Sequence, residues 1–354
     1  MLALSGHALG VRLRVVDPAT DAPAREVADH VCADWSDPAI PARLADCDAV
    51  TYEFERVPVA LAEAVARRVP VWPPVEALAV AQDRVHEKER FRALGLATPR
   101  FRAVDTLADL QRAVAELGLP AVLKTRREGY DGKGQRRLRE LGELPAAFEA
   151  LAPAPLVLEE HVAFDREVSV LAARGRDGAV ELYPLVENRH EHGILIESRV
   201  PAPHASGALT ERAHRAVRAL LDSFGYVGVL ALELFQVGEE LLASELAPRV
   251  HNSGHATIEG AVASQFENHL RAVVGWPLGP AVATGPVVML NAIGALPDAR
   301  ELLAIPGAHL HDYGKEPRPG RKVGHVTITA PDAGELEARA VRARSLVPVV
   351  HAGE

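Results

Sequence analysis

The stretch AVLKTRREGYDGKGQ, residues 121–135, decides how the rest of the chain is read. It opens as a short apolar strand, Ala121-Val122-Leu123, set off upstream by Gly118 and Pro120, and Lys124 sits at the strand's end. Gly129, Gly132 and Gly134 then interleave with Tyr130, Asp131 and Lys133, and Gln135 closes the segment. Glycine at this density permits positive φ and close backbone approach to a ligand. Successive N–H groups in such a loop can cradle phosphate oxygens, with Lys124 and Lys133 adding positive charge. Lys133 is followed by Gly134 rather than Ser or Thr, and no helix pattern opens at the spacing of a dinucleotide-binding turn, so neither common phosphate motif is present. On these residues alone, a flexible hairpin tip with solvated charges is an equal reading.

Downstream, VGVLALELFQVGEELLASEL (227–246) reads as two apolar strands around Gly238-Glu239-Glu240. With those three residues as the loop, Val237 pairs with Leu241, and counting back sets Glu233 opposite Glu245 on one face. Like charges across a ladder destabilise it, and burying a carboxylate unpaired is costly. A hard divalent cation between the two acids, completed by phosphate oxygens, offsets both penalties. A slipped strand with one acid in water remains the alternative. The loop that follows, Ala247-Pro248-Arg249-Val250-His251-Asn252-Ser253-Gly254-His255, is unusually rich in Arg, His and Asn.

The chain has 354 residues, 48% hydrophobic and 25% charged, which bounds it to an ordinary globular protein of two or three domains. A net charge of −9 implies no general nucleic-acid affinity, so any anion site is a local basic cluster. Two cysteines, Cys32 and Cys47, without metal-type spacing suit a reduced, cytoplasmic protein. No apolar run approaches a transmembrane span, and MLALSGHALG lacks the charged n-region and longer apolar core of a signal peptide.

Residues 1–80 alternate strand and helix signals: strands at Val11–Val16, Ala49–Tyr52 and Val69–Trp72, with a helix over Pro58–Arg68. Such alternation predicts a parallel sheet with helices on its faces, and ligands at the strands' carboxyl ends. Glu53 and Glu55 fall at such an end, although two solvated acids opening a helix fit as well. A helix pattern runs from Val75 to Leu94 and carries Arg84 and Lys88 on one side. Thr106-x-x-Asp109 predicts a capping box on a helix ending at Gly118. Leu156-Val157-Leu158 runs into Glu159-Glu160-His161-Val162; Glu167–Ala173 and Ala179–Val186 predict a hairpin. Thr210 is read as the cap of a helix to Phe224, and residues 258–274 as one helix. Further strands are predicted at Val287–Ala292, His309–Tyr313 and Lys322–Thr329, and a last helix at Ala333–Val347. Lys315, Arg318, Arg321 and Lys322 crowd a Pro319-Gly320 turn and suggest a second anion pocket, against a merely solvated turn.

Together these pieces resemble the ATP-grasp superfamily. The strings KTRREGYDGKGQ, YVGVLALELF, SELAPRVHNSGH and RPGRKVGH resemble the N5-carboxyaminoimidazole ribonucleotide synthases of bacterial and fungal purine biosynthesis, over nearly the whole chain. The resemblance implies an N-terminal α/β substrate-binding domain (1–90) with a doubly wound parallel sheet, an ATP-grasp domain (91–280) and a small β-rich C-terminal module (281–354). It implies carboxylation of 5-aminoimidazole ribonucleotide by ATP and bicarbonate through carboxyphosphate, with Mg2+, in a homodimer. Carried over by motif, Arg84, Lys124, Gly129–Gln135, Glu159–Val162, Glu167, His190 and Ser244 would hold the nucleotide, and Glu233 and Glu245 magnesium. Arg249, His251 and Asn252 would take bicarbonate or carboxyphosphate, Lys315, Arg321 and Lys322 would bind anionic groups of the ribonucleotide, and Glu53 would lie where the N-terminal domain reaches the aminoimidazole. Glu128, Ser244 and the want of a first strand with its G-x-Q-L-G turn depart from the family pattern; the expectation drawn is that Met1 is an internal methionine. Two other readings stay open: a sister ligase such as formate-dependent glycinamide ribonucleotide transformylase, and a nucleotide-binding protein without catalysis.

Overall fold

The computed structural model describes residues 1–129 and 134–351. Among them a nine-stranded, mainly antiparallel sheet dominates, beside a four-stranded sheet and a two-stranded parallel pair. The four-stranded sheet runs Phe101–Val104, Leu156–Glu160, Ala121–Thr125, Gln135–Leu138 in spatial order. Its apolar face, Leu123, Leu138, Leu156 and Leu158, packs on the Leu107–Leu117 helix through Leu110, Ala113 and Val114. That helix starts where expected: Thr106 Oγ1 accepts from Asp109 N at 3.1 Å and the Asp109 carboxylate accepts from Thr106 N at 2.9 Å.

In the large sheet, Glu240–Ala247 forms the edge, followed by Gly228–Val237 and Arg166–Arg174. The far end is Val287–Ile293, Lys322–Thr329 and Ala308–Asp312. The C-terminal strands therefore extend the central sheet, joined through Ile194–Val200. The long Gly207–Phe224 helix covers one face with Leu209, Ala213, Val217, Leu220 and Phe224, a stripe whose members are three or four residues apart. Among the described residues no helix is long and apolar enough to cross a membrane.

Several expected boundaries are corrected. Ser206, not Thr210, caps the long helix, accepting from Leu209 N at 3.1 Å. The predicted Val75–Leu94 helix is two, Val75–Ala81 and Arg84–Ala93, because Asp83 leaves helical geometry to cap the second. The helix read over 258–274 breaks at Ala261, which bridges to Ala283, and restarts at Gln265 under a Ser264 cap. The predicted Ala179–Val186 strand is interrupted: Val180–Leu182 pairs with Arg166–Arg174, and Val186 opens the next strand. In the N-terminal segment the parallel pairing is smaller than a doubly wound sheet. Arg14–Asp17 pairs with Asp29–Cys32, a strand not foreseen, and 49–52 meets 69–72 only at a Val50–Val71 bridge.

Candidate active site

The Arg84–Ala93 helix lies between the two larger sheets, and its polar residues reach both. Asp83 caps it, accepting from Val85 N at 3.0 Å, and pairs with Arg126 at 2.9 Å. Arg84 donates to the carbonyls of Thr125 (3.0 Å) and Gly129 (2.9 Å), so it braces the base of the glycine-rich loop. Lys88 is buried; its Nζ donates to Ser244 O at 3.1 Å and lies 3.3 Å from Glu159 Oε1. Glu87 accepts from Leu246 N at 2.6 Å. Burial, reinforced by the charge of Glu245, pushes the Glu87 carboxyl well above the usual carboxylate range.

Lys124 leaves its strand toward Glu159 Oε2, at 3.0 Å. Burial alone would raise the Glu159 pKa, but Lys124 and Lys88 together hold it well below normal. Glu159 thus turns its charge inward, while Glu160 accepts from the backbone and guanidinium of Arg100, each at 2.7 Å. His161 and Val162 follow as half-buried irregular chain. Gly129, Gly134 and Gln135 frame the loop; Gly134 takes φ +71 and its carbonyl accepts from Thr125 N at 2.8 Å. Tyr130, Asp131, Gly132 and Lys133 lie outside the described residues.

Glu233 and Glu245 are direct cross-strand partners, as expected, but by another route. The turn holds two residues, with Val237 paired to Glu240, and Ser244 is inserted as a β-bulge that restores the register. Were Ser244 paired in the ladder rather than bulged out, Glu245 would fall opposite Leu232 and point to the other face. Glu245 is exposed and forms no ion pair or hydrogen bond among the described residues. Glu233 accepts from His251 Nε2 at 2.8 Å. Burial opposes its ionisation, yet the His251 hydrogen bond and charge hold its pKa below normal. Across the same sheet Glu167 contacts His190 Nδ1 at 2.5 Å. Burial lowers the His190 pKa and Glu167 more than compensates, so the net shift is upward.

The loop after Glu245 is fixed from behind. Gln265 accepts from His251 N at 2.9 Å and donates to His251 O at 2.6 Å. His251 Nδ1 meets Ser253 Oγ at 2.9 Å, and a buried chain continues through Ser169, Asn188 and Ser198. These inward hydroxyls and amides on apolar strands were the sequence signal for this support. Asn252 Nδ2 is buried without a hydrogen-bond partner among the described residues. Arg249 Nε is 2.9 Å from Glu55 Oε1, an ion pair without hydrogen-bond alignment, and Arg249 Nη1 donates to Val250 O. Burial raises the Glu55 pKa against the pull of Arg249. Glu55, noticed as a strand-end acid, is thus the contact between the N-terminal segment and this loop, more so than exposed Glu53.

Lys315 lies over the Tyr313 ring at 5.3 Å, and burial lowers its pKa while Glu53 partly restores it. Tyr313 is held in turn by His325 Nδ1 at 2.8 Å. The Pro319-Gly320 turn forms as expected, Gly320 at φ +74 and Arg321 N on Arg318 O at 3.1 Å. Arg321 donates to Glu316 O at 3.2 Å. Lys322 opens its strand near enough for its charge to act on both Glu233 and His190. The donor set of two facing carboxylates, one unengaged, suits a hard divalent cation.

Three family models match in chain order: a ribonucleotide synthetase preATP-grasp domain over 1–82, an ATP-grasp domain over 89–266, and a phosphoribosylaminoimidazole carboxylase C-terminal domain over 287–339. The N5-carboxyaminoimidazole ribonucleotide synthase of Pseudomonas aeruginosa is 49% identical over 98% of this chain and 96% of its own length. The crystal structure of the Thermus thermophilus enzyme superposes with TM-score 0.95 at 50% identity, covering 100% of this chain and 97% of that one. The Aspergillus clavatus synthase, solved with ADP and 5-aminoimidazole ribonucleotide, superposes with TM-score 0.91 at 34% identity over 98% and 95% of the two chains. On these matches, which run the length of the chain, it belongs to the N5-carboxyaminoimidazole ribonucleotide synthase family of ATP-grasp ligases.

Proposed function

We propose that the enzyme carboxylates 5-aminoimidazole ribonucleotide with bicarbonate, using ATP, in purine biosynthesis. The observation that carries this is the Glu55–Arg249 ion pair at 2.9 Å, which brings the N-terminal segment onto the loop beside Glu233 and His251. A ligase joining three substrates needs such a meeting point. In this reading a bicarbonate oxygen attacks the γ-phosphorus and ADP leaves. The ribonucleotide's exocyclic nitrogen then attacks the carbonyl carbon of carboxyphosphate, and phosphate leaves with the proton that the nitrogen gives up.

Chemistry of this kind is mainly positioning and charge stabilisation. Arg249 offers a planar fork to bicarbonate, Asn252 its orphaned Nδ2, and His251 a ring oriented by Glu233 and Ser253. Lys124 and the loop Gly129–Gln135 would neutralise the nucleotide's phosphates, with Arg84 bracing the loop base. Glu159–Val162, Glu167, His190 and Ser244 would border the nucleotide, and Glu53, Lys315, Arg321 and Lys322 the ribonucleotide and its anionic groups. Glu233 and Glu245 would hold magnesium, which when bound neutralises phosphate charge. The same reading places a homodimer in the cytoplasm, with domains at 1–90, 91–280 and 281–354.

The test is ADP release across a substrate panel. Release that needs both bicarbonate and aminoimidazole ribonucleotide, with the carboxyl product formed in step, supports the reading. Turnover with formate and glycinamide ribonucleotide instead would replace it by the sister ligase. ATP binding without substrate-dependent release would mark a protein that only binds nucleotide.

A further inference from the structure

The Arg84–Ala93 helix buries a cation for which the reaction above has no direct use. Lys88 is 1% exposed. It shares the carboxylate of Glu159, itself 3% exposed, with Lys124: Oε1 faces Lys88 at 3.3 Å and Oε2 faces Lys124 at 3.0 Å. Of the two lysine side chains Lys124 is the outer, 20% exposed. A buried carboxylate stripped of its partner is strongly disfavoured. If Lys124 and Glu159 were alone, they would form a closed pair, and turning Lys124 to a phosphate would strand Glu159. With Lys88 in place, Lys124 can leave while Glu159 stays paired. Lys88 itself cannot follow, because Ser244 O also holds it at 3.1 Å. That carbonyl is available because Ser244 is the bulged residue, outside the regular ladder.

We propose that Lys88 is a positioning residue that keeps Glu159 paired and so leaves Lys124 available to the nucleotide's phosphates. The inference rests on the reading of Lys124 given above. It also makes one ammonium the tie between Glu159 on the small sheet and Ser244 on the large one, the two walls of the nucleotide cleft.

The experiment compares Lys88→Met, Glu159→Gln, the double variant and Lys124→Met in the full-length enzyme. Affinity for a non-hydrolysable ATP analogue and KM for each substrate are measured, with thermal unfolding alongside. Lys88→Met should weaken analogue binding and raise KM for ATP by roughly tenfold, with the other two KM values within about twofold. Adding Glu159→Gln should recover most of that loss, since a neutral amide no longer retains Lys124. A purely structural role would instead leave the double variant as weak as the single, and that result overturns the proposal. So does unchanged ATP affinity in Lys88→Met. Should Lys88→Met not fold, the double variant is compared with Glu159→Gln: equal affinity supports the proposal, and a further loss of roughly tenfold sinks it. Lys124→Met separates the two readings. If it binds the analogue normally, the role of Lys124 falls and this inference with it; if it is impaired while the double variant shows no recovery, only the inference falls.

Discussion

Glu233 and Glu245 face each other, yet they are held differently, and substitution separates them. Glu245 is exposed and unengaged among the described residues, so Glu245→Gln should shift stability by no more than about 0.5 kcal/mol. If it is a cation ligand, it should nevertheless lose magnesium-dependent ATP turnover by roughly a hundredfold or more. Glu233→Gln should do both kinds of damage, because Glu233 also orients His251 at 2.8 Å. Denaturant unfolding beside steady-state ADP release checks the pair; full turnover in Glu245→Gln removes the metal assignment. Arg249 gives a second contrast. Arg249→Ala strips Glu55 of its partner, so turnover and stability should fall together while nucleotide affinity holds.

At the scale of elements, two helix caps of similar chemistry should behave unlike each other. Thr106→Ala removes one half of a capping box remote from the site and should cost about 1 kcal/mol with kcat and KM unchanged. Asp83→Ala removes a cap that also pairs with Arg126, so roughly 1–2 kcal/mol should come with a raised KM for ATP. Urea unfolding and ATP titration distinguish them. The Thr106 box was legible in the sequence because a capping box is wholly local. The break at Asp83 was not: the apolar pattern runs on through it, and the cap pays off only through Arg126, brought near by folding. The same division holds at the site. Lys124, Glu233, Glu245, Arg249 and His251 stand out as polar residues in apolar or glycine-rich context. Lys88 and Glu87 look like an ordinary solvated helix face, and only the second sheet's approach buries them. Glu55 meets Arg249, and Gln265 meets His251, across separations that no local pattern encodes. In the N-terminal segment short runs such as Asp29–Cys32 become strands only through their partners, so periodicity missed them.

For the molecule as a whole, buried neutral histidines make folding sensitive to mild acid. His269 is fully buried; Nδ1 accepts from Val229 N at 3.1 Å, so Nε2 carries the proton toward Thr51 Oγ1 at 2.7 Å. This joins the N-terminal segment to the start of a central strand of the large sheet. Burial lowers the His269 pKa to about 4, and that of His255 to about 3. The unfolded chain therefore binds more protons than the native one below the ordinary histidine range. Stability should be full above about pH 6.5 and decline as pH falls toward 4, by on the order of 3 kcal/mol from His269 alone. His190, shifted upward, contributes in the opposite sense, its stabilisation fading as pH rises through its folded pKa. Melting temperature against pH checks this, and His269→Gln should flatten the acid limb without flattening it completely. An acid limb unaltered by that substitution would show that the Val229 N–H bond to Nδ1 is not what protonation breaks.

The bulge at Ser244 has a consequence for how this hairpin can change length. Between the Gly238-Glu239 tip and the bulge, pairing follows one register; beyond it, toward Ala247, another. The bulge works as a clutch: the tip can gain a residue or two without turning the chemistry-bearing foot. Deleting Ser244, by contrast, would leave Leu234–Ala243 and Glu233–Glu245 as consecutive pairs of a regular ladder but remove the bulge carbonyl that holds Lys88. A short insertion after Gly238 should thus be tolerated, whereas loss of the one serine should keep the two acids paired yet set Lys88 loose.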